Sequence, residues 1–112
     1  MSEYFKKSDL DKFNDGDLGQ LHKEHWDNFL NYYANVMAEG KLSVRTKALI
    51  ALAVAHAEKC PYCIDAYTTT CLDLGLSKEE MMEAVHVASA MKAGITLVTG
   101  VQMKNITDNL EF

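Results

Sequence analysis

The sequence is poor in residues that interrupt helices and in patterns that build strands. It has one proline and six glycines in 112 residues, and it contains no long alternating runs of β-branched residues. Both absences favour an all-α fold. With 48% apolar residues, a chain of this length is expected to form one helical domain over residues 1–112, with polar ends at 1–16 and 108–112.

Clusters of basic residues are also absent. The net charge is -5 and the lysines and arginines are scattered, so nucleic acid and anionic membranes are poor partners. No run approaches the roughly 18 continuous apolar residues of a membrane span. Residues 1–5 lack the apolar core of a signal peptide. We therefore expect a cytoplasmic protein that has neither a nucleic-acid partner nor a membrane partner.

Apolar spacing and capping signals predict a bundle of five main helices, with a possible sixth near residues 8–14. The first long helix is expected from Leu18 to Met37, with Asp15 or Asp17 as its cap and Gly40 at its end. Ser43 is the next expected N-cap. The alanine-rich run 48–55 that follows is apolar on every side. Such a helix is buried either at the centre of the domain or at a subunit contact.

A capping box is predicted at Ser77 and Glu80. It opens a helix that Gly94 is expected to break, and a last helix is expected from Ile95 to about Thr107. We expect His86 to be an interior histidine, with a role in a subunit contact as the alternative. The inward face of the helix is predicted to carry Met81, Met82, Ala84, Val85, Ala88 and Met91.

The chemistry of the sequence is concentrated in Cys60-Pro61-Tyr62-Cys63. Proline is favoured at the first position of a helix, so Cys60 is predicted as an N-cap and the helix runs from Pro61 to about Leu74. The partial positive charge of a helix start stabilises a thiolate and lowers its pKa. A second thiol three residues later can form a disulfide with the first. The motif therefore predicts a two-electron redox cycle.

Two other roles for the motif stay open: half of a zinc site, or two inert buried thiols. A zinc site normally needs a second pair of ligands at recognisable spacing, and Cys71 stands alone. We expect no metal and no cofactor. Cys71 is expected to be a small core residue, with a backup thiol as the alternative.

Two further side chains are candidates for the site. His56 lies four residues before Cys60 and either assists proton transfer or only bonds a carbonyl at the helix end. Tyr67 lies four residues after Cys63 on the same helix face. Its hydroxyl either donates to a thiolate or a bound peroxide, or belongs to an ordinary half-buried aromatic residue.

The stretches 42–54 and 60–67, followed by the capped helix that starts at Ser77, resemble the AhpD-like alkylhydroperoxidase family of the carboxymuconolactone decarboxylase-like superfamily. The resemblance covers about residues 40–100. It implies an all-helical domain that assembles into trimers or hexamers and reduces alkyl hydroperoxides with electrons from a reductant protein or small thiol. It also implies that Cys63 attacks the peroxide and that Cys60 is the more exposed resolving thiol.

The sequence departs from that family at two positions. The family's proton relay uses a glutamate and a histidine where this chain has Ala48 and Tyr67. His56 is a candidate substitute, and the peroxidase activity is otherwise expected to be weak or specialised. The leading hypothesis is a thiol-dependent peroxidase. The alternative is a dithiol–disulfide exchange or redox-responsive module, and lactone decarboxylation is disfavoured because it needs no CxxC motif.

Overall fold

The computed structural model describes residues 5–110, and this part of the chain is all-helical, with no strand. It comprises α1 Lys7–Asn14, a 3₁₀ helix Asp17–Gln20, α2 Lys23–Met37, α3 Val44–Ala57, α4 Pro61–Asp73, α5 Lys78–Val98 and α6 Gly100–Asp108. The predicted all-α fold is confirmed.

The core forms where α3 packs against both α4 and α5. Leu52 of α3 and Cys71 of α4 are the largest fully buried side chains. Together with Ala48 and Leu76 they form one apolar cluster. Close packing around side chains of fixed size determines how the two helices approach each other, so this cluster sets the position of α4 against α3.

The prediction that α3 is buried on every side is wrong for one of its faces within the chain. Ile50 and Val54 are 48% and 56% exposed, whereas Leu52 is 1% exposed. Burial at the centre of the domain, one of the two expected environments, therefore holds only for the face of α3 that carries Leu52. A subunit contact at the Ile50 face stays a prediction.

The predicted caps at Ser43 and Ser77 are confirmed. Ser43 Oγ accepts the Thr46 amide at 3.1 Å. Ser77 Oγ accepts the Glu80 amide at 3.0 Å, while Glu80 Oε1 accepts the Ser77 amide at 2.8 Å. These bonds from Ser77, with a smaller contribution from Arg45, lower the pKa of Glu80. The start of α5 is thereby fixed at the residue that the sequence indicates.

The first long helix begins later than predicted. Residue 18 belongs to the 3₁₀ helix, and α2 starts after His22, with no side-chain cap from an aspartate. Gly16 adopts a left-handed φ of +83°, and a Cβ on Gly19 would lie 2.7 Å from the Trp26 ring. The chain therefore turns tightly around Trp26 instead of continuing as one helix.

The end of α2 also comes before the predicted Gly40, at Met37. Lys47 of α3 reaches back and donates to the carbonyls of Val36 and Ala38, at 2.7 and 2.6 Å. A lysine charge at a helix C-terminus satisfies unpaired carbonyls and interacts favourably with the helix dipole. The contact links the end of α2 to the start of α3.

The predicted break at Gly94 is wrong, because α5 continues to Val98. A glycine inside a helix costs only about 1 kcal/mol relative to alanine, and the helix formers around it outweigh this cost. Thr99 is the single residue between the end of α5 and the start of α6. Its hydroxyl donates to Thr96 O at 2.7 Å.

The predicted inward face of α5 is confirmed only in part. Ala88 is buried and Met81 packs against the core. Met82 and Met91, however, are 55% and 61% exposed, and the expectation of an interior His86 is wrong because that residue is exposed. These side chains lie on a surface that no other element of the described chain covers.

The second half of α5 and α6 project from the core as an apolar arm. The radius of gyration is 19.0 Å, whereas a compact domain of about 100 residues has roughly 13 Å. By length and hydropathy alone, the stretch Lys78–Asp108 would suffice to cross a bilayer, and none of its apolar window is buried. The buried helix of a larger assembly has the same composition.

Candidate redox site

The turn between α3 and α4 places Cys60. The Cys60 amide donates to Ala55 O at 3.0 Å and the Lys59 amide donates to His56 O at 3.1 Å. This is the Schellman arrangement that closes a helix. It puts Lys59 at a φ of 57°, a left-handed conformation that costs a residue with a side chain roughly 1–2 kcal/mol. Cys60 is thus held at a strained turn.

Cys60 ends this turn and also caps the next helix, as predicted. Its Sγ accepts a hydrogen bond from the Cys63 amide at 3.3 Å, and Pro61 occupies the first turn of α4. Both thiols are free and half-buried. The sulfur of Cys60 therefore lies at the positive end of α4, where a negative charge is stabilised.

The Cys63 thiol is held in its protonated form. Burial, then a hydrogen bond with Cys60 and the charge of Cys60, raise the pKa of Cys63 to about 11. The sequence led us to expect a lowered thiol pKa at this helix start, and for Cys63 that expectation is wrong. The helix start therefore does not acidify Cys63, whereas the Cys60 sulfur lies at the position where a negative charge is stabilised.

His56 lies half-buried in the last turn of α3, and its Nδ1 is 2.8 Å from Leu52 O. A carbonyl only accepts, so Nδ1 carries a proton and, in the neutral ring, Nε2 is left as the acceptor. The contact fits the carbonyl-bonded role that was one of the two alternatives for this residue. Its role in proton transfer stays a prediction.

Ala48 and Tyr67 occupy the two positions where the family that the sequence resembles has the glutamate and the histidine of its proton relay. Ala48 is buried in the core cluster, and Tyr67 packs against that cluster from α4. An alanine side chain has no atom that can carry a proton, so this position cannot assist either thiol. The packing of Tyr67 agrees with an aromatic residue that supports the core, and a hydrogen bond from its hydroxyl to a thiolate stays a prediction.

Tyr33 of α2 is a residue near the motif that the sequence did not indicate. Burial raises the pKa of Tyr33, and so does the charge of Cys63, which places the phenol within electrostatic reach of that sulfur. The helical spacing of α2 marked residue 33 only as part of an apolar face. Its proximity to residue 63 depends on tertiary packing, for which the sequence carries no local signal.

The N-terminal helix also contacts the motif. The Tyr62 hydroxyl donates to Asp9 Oδ2 at 3.0 Å, and the ring centroids of Phe5 and Tyr62 are 4.9 Å apart. The exposed Lys7 and the half-buried Asp65 form an ion pair at 3.8 Å. The start of α1, the short helix that the sequence predicted near residues 8–14 as the sixth, therefore packs against the first turn of α4.

Metal-ligating side chains do not gather anywhere in residues 5–110: no group of three or more His, Cys, Asp or Glu side chains could hold an ion. His22 and His25 stack with ring centroids 3.8 Å apart, without a third ligand. Cys71 is fully buried, and burial raises its pKa. Within the described chain, the two thiols of the motif are the half-buried nucleophiles that share one helical turn.

Comparison with known proteins agrees with this geometry. A crystal structure of a Methanobacterium thermoautotrophicum protein, determined in a structural genomics programme, matches with a TM-score of 0.72 and 31% identity, over 75% of this chain and 94% of that one. "Uncharacterized protein 4 in cox locus" of Paracoccus denitrificans is 46% identical over 68 residues. That match spans 61% of each of the two sequences.

The family comparison covers the core helices and the motif together. The model of the carboxymuconolactone decarboxylase family matches residues 24–103, which is more than half of the chain and includes α2 to α5. The resemblance noted at the motif is thereby extended to the whole helical core. The chain belongs to the AhpD-like carboxymuconolactone decarboxylase family.

Proposed function

We propose that this protein is a thiol-dependent oxidoreductase that reduces organic hydroperoxides through a Cys60–Cys63 dithiol/disulfide cycle. The observation that carries the proposal is the bond from the Cys63 amide to Cys60 Sγ at the start of α4. A sulfur in that position is stabilised as a thiolate. The second thiol lies in the same helical turn, where it can form a disulfide with the first.

The proposed cycle balances without a metal. The Cys60 thiolate attacks the terminal peroxide oxygen, so an S–O bond forms, the O–O bond breaks, and the alkoxide takes a proton to leave as an alcohol. The sulfur loses two electrons and becomes a sulfenic acid. The Cys63 thiol condenses with it, releasing water and forming the disulfide. An external dithiol then returns two electrons and two protons.

This order reverses the one that the family resemblance implies, in which Cys63 attacks. The reversal follows from the charge distribution, because burial and Cys60 hold Cys63 protonated, whereas the attacking species must be a thiolate. Ala48 and Tyr67 supply no carboxylate or imidazole to remove the Cys63 proton. We assign to His56 Nε2 the acceptance of a proton from the reduced pair.

The partners follow from the same cycle. The substrates are a hydroperoxide and a thiol reductant, either a protein or a small thiol, and the compartment is a reducing cytoplasm.

A homo-oligomer, trimeric or hexameric, is proposed to cover the apolar arm of α5 and α6. The exposure of Leu97, Val98 and Val101, at 76%, 65% and 57%, supports burial of this surface in an assembly.

The experiment is peroxide consumption with dithiothreitol as the reductant, combined with trapping of sulfenic acid by dimedone. Parent protein should turn over. Cys63→Ser should trap one dimedone on Cys60, and Cys60→Ser should react far more slowly, with Cys71→Ala as the matched control. Trapping on residue 63 in Cys60→Ser, at the parent rate, would reinstate the order implied by the family. Absence of peroxide consumption by the parent would refute the peroxidase.

A dithiol–disulfide exchange module is the second candidate, and the Ala48 and Tyr67 positions favour it. Disulfide exchange needs only the thiolate on Cys60 and the neighbouring Cys63. Reduction of a disulfide reporter such as insulin, together with inactivity toward all peroxides, would identify this function. Activity toward both types of substrate supports the peroxidase.

A further inference from the structure

A cavity of about 530 Å³ lies beside the motif, between α1, the 3₁₀ helix and the Tyr62 side chain. Its volume falls within the range of roughly 300–1,000 Å³ that is usual for small-molecule sites. Tyr62 lies between the two cysteines in the sequence. One wall of the cavity therefore belongs to the helical turn that carries both thiols.

The floor of the cavity is apolar. Leu10, Phe13 and Leu18 line it together with Tyr62, and Phe13 and Leu18 remain 39% and 50% exposed. Apolar surface left open to water gains free energy when a hydrocarbon group covers it. These side chains therefore favour a ligand with an alkyl or aryl group of several carbons over hydrogen peroxide.

The charged residues of the cavity select against anions. Asp9, Lys12 and Asp17 line it, so carboxylates outnumber ammonium groups by two to one. Asp9 also accepts the Tyr62 hydroxyl at 3.0 Å, which fixes one carboxylate at the wall. A fatty-acid carboxylate would meet a like charge there, whereas a neutral organic group would not.

The wall is held in place by aromatic packing. The ring of Phe13 meets Trp26 edge-on at 5.1 Å between centroids, and Phe29 lies 6.3 Å from Phe13. Edge-to-face aromatic pairs at these separations are stabilising. The side of the cavity formed by Phe13 is thus supported from behind by α2, and the cavity exists before any ligand enters.

We propose that this cavity binds the organic group of a neutral aryl-alkyl or alkyl hydroperoxide and presents its peroxide oxygens to the first turn of α4. The inference rests on the proposed peroxidase function for its chemistry. Binding of the organic group alone does not depend on the thiols. The two parts can therefore be tested separately, with the alcohol product as a redox-inert ligand and the hydroperoxide as the substrate.

The binding test uses 2-phenyl-2-propanol, the alcohol formed from cumene hydroperoxide. Trp26 is the sole tryptophan and contacts Phe13, so its fluorescence should change saturably on titration, in the parent and in Cys60→Ser/Cys63→Ser. Leu18→Asp places a charge in the cavity and should weaken binding by about tenfold or more. Leu42→Asp is the matched control, since Leu42 is a similarly exposed leucine, at 48%, outside the cavity.

A second measurement uses the unaltered protein, so its result does not depend on whether Leu18→Asp folds. Intermolecular nuclear Overhauser effects should connect the methyl groups of the alcohol to Leu10, Phe13 and Leu18. Their absence at saturation, or contacts confined to other residues, would overturn the cavity assignment. Equal loss of binding in Leu18→Asp and Leu42→Asp would overturn it as well.

The kinetic test separates this inference from the proposed function. Leu18→Asp should lower kcat/KM for cumene hydroperoxide by about tenfold and that for hydrogen peroxide by much less, whereas Leu42→Asp should leave both values unchanged. Equal losses for both peroxides would refute the cavity as the subsite. A parent that reduces neither peroxide but binds the alcohol at Leu10 and Phe13 would refute the peroxidase while retaining the ligand site.

Discussion

Cys60 Sγ accepts the backbone amide of Cys63 at 3.3 Å, so the first cysteine caps the helix to which the second belongs. The pair is also linked chemically, because burial raises the pKa of Cys63 and Cys60 raises it further through a hydrogen bond and its charge. A structural role and a chemical role are thus combined in one contact. Oxidation to the disulfide would change the cap of α4 as well as the redox state.

The first prediction concerns alkylation of the reduced protein by iodoacetamide at different pH values. Near pH 7, Cys60 should be labelled before Cys63, because the Cys63 pKa is about 11. In Cys60→Ala the Cys63 pKa should fall, since both the hydrogen bond and the charge of residue 60 are removed and only burial remains. Peptide mass spectrometry of the labelled sites checks both statements.

The first prediction has a second part, which concerns the dependence of stability on pH. A pKa raised from 9.0 to about 11 means that the fold favours the protonated thiol. Its stabilising contribution is complete below pH 9 and is lost as the pH rises toward 11. Cys63→Ala should therefore flatten the dependence of the urea midpoint on pH in this window. A slope equal to that of the parent would contradict the shift.

Short-range signals were sufficient for the caps and for the position of the motif. Ser43, Cys60 and Ser77 each satisfy an amide three residues further on, so the information lies within four residues of sequence. Pro61 adds a local restriction of its own, since it cannot continue the helix before it. These starts could be predicted because local hydrogen bonding determines them.

Features that depend on tertiary contacts could not be predicted. The bond of Tyr62 to Asp9 joins residues 53 apart, and the proximity of Tyr33 to Cys63 requires α2 to pack near α4. At Gly94 a local signal was misleading. The glycine predicted a helix break, but the helix formers around it keep α5 continuous to Val98. The sequence thus indicated the helix start that carries the two cysteines, but neither the cavity wall nor the phenol near Cys63.

The second prediction concerns Cys71. It is fully buried and burial raises its pKa, so it should remain unlabelled until the protein unfolds. Cys71→Ala should lower the free energy of unfolding by about 1 kcal/mol and leave peroxide turnover unchanged. Urea denaturation and the peroxide assay measure the two effects, with the exposed Thr69→Ala on the same helix as control. Loss of turnover in Cys71→Ala alone would instead indicate a backup thiol.

The third prediction concerns Lys47, whose ammonium group bonds the carbonyls of Val36 and Ala38. Lys47→Met should lower the free energy of unfolding by about 1–2 kcal/mol, because it leaves carbonyls at the end of α2 without a charged donor. Lys41→Met removes the same charge from the exposed loop before α3 and should have little effect. Equal destabilisation by the two substitutions would attribute the loss to net charge rather than to these bonds.

The fourth prediction concerns the apolar arm of α5 and α6. Size-exclusion chromatography with light scattering should show a trimer or hexamer, because the exposed side chains of the arm are stabilised by burial between copies. Leu97→Glu, at a residue that is 76% exposed, should shift the protein toward smaller species while its helical circular dichroism is retained. Gln102→Glu adds the same charge at a polar position of α6 and should leave the assembly largely intact.

A bilayer is the competing environment for the arm, and its charges argue against it. Lys92 lies within α5 and Lys104 within α6, and a lysine at the centre of a bilayer costs about 2.5 kcal/mol or more. The protein should therefore remain at the bottom of a density gradient when mixed with phospholipid vesicles, and Lys92→Leu should not increase flotation while the oligomer persists. Flotation of the parent together with a monomeric mass would show that lipid, and not a second copy, covers this surface.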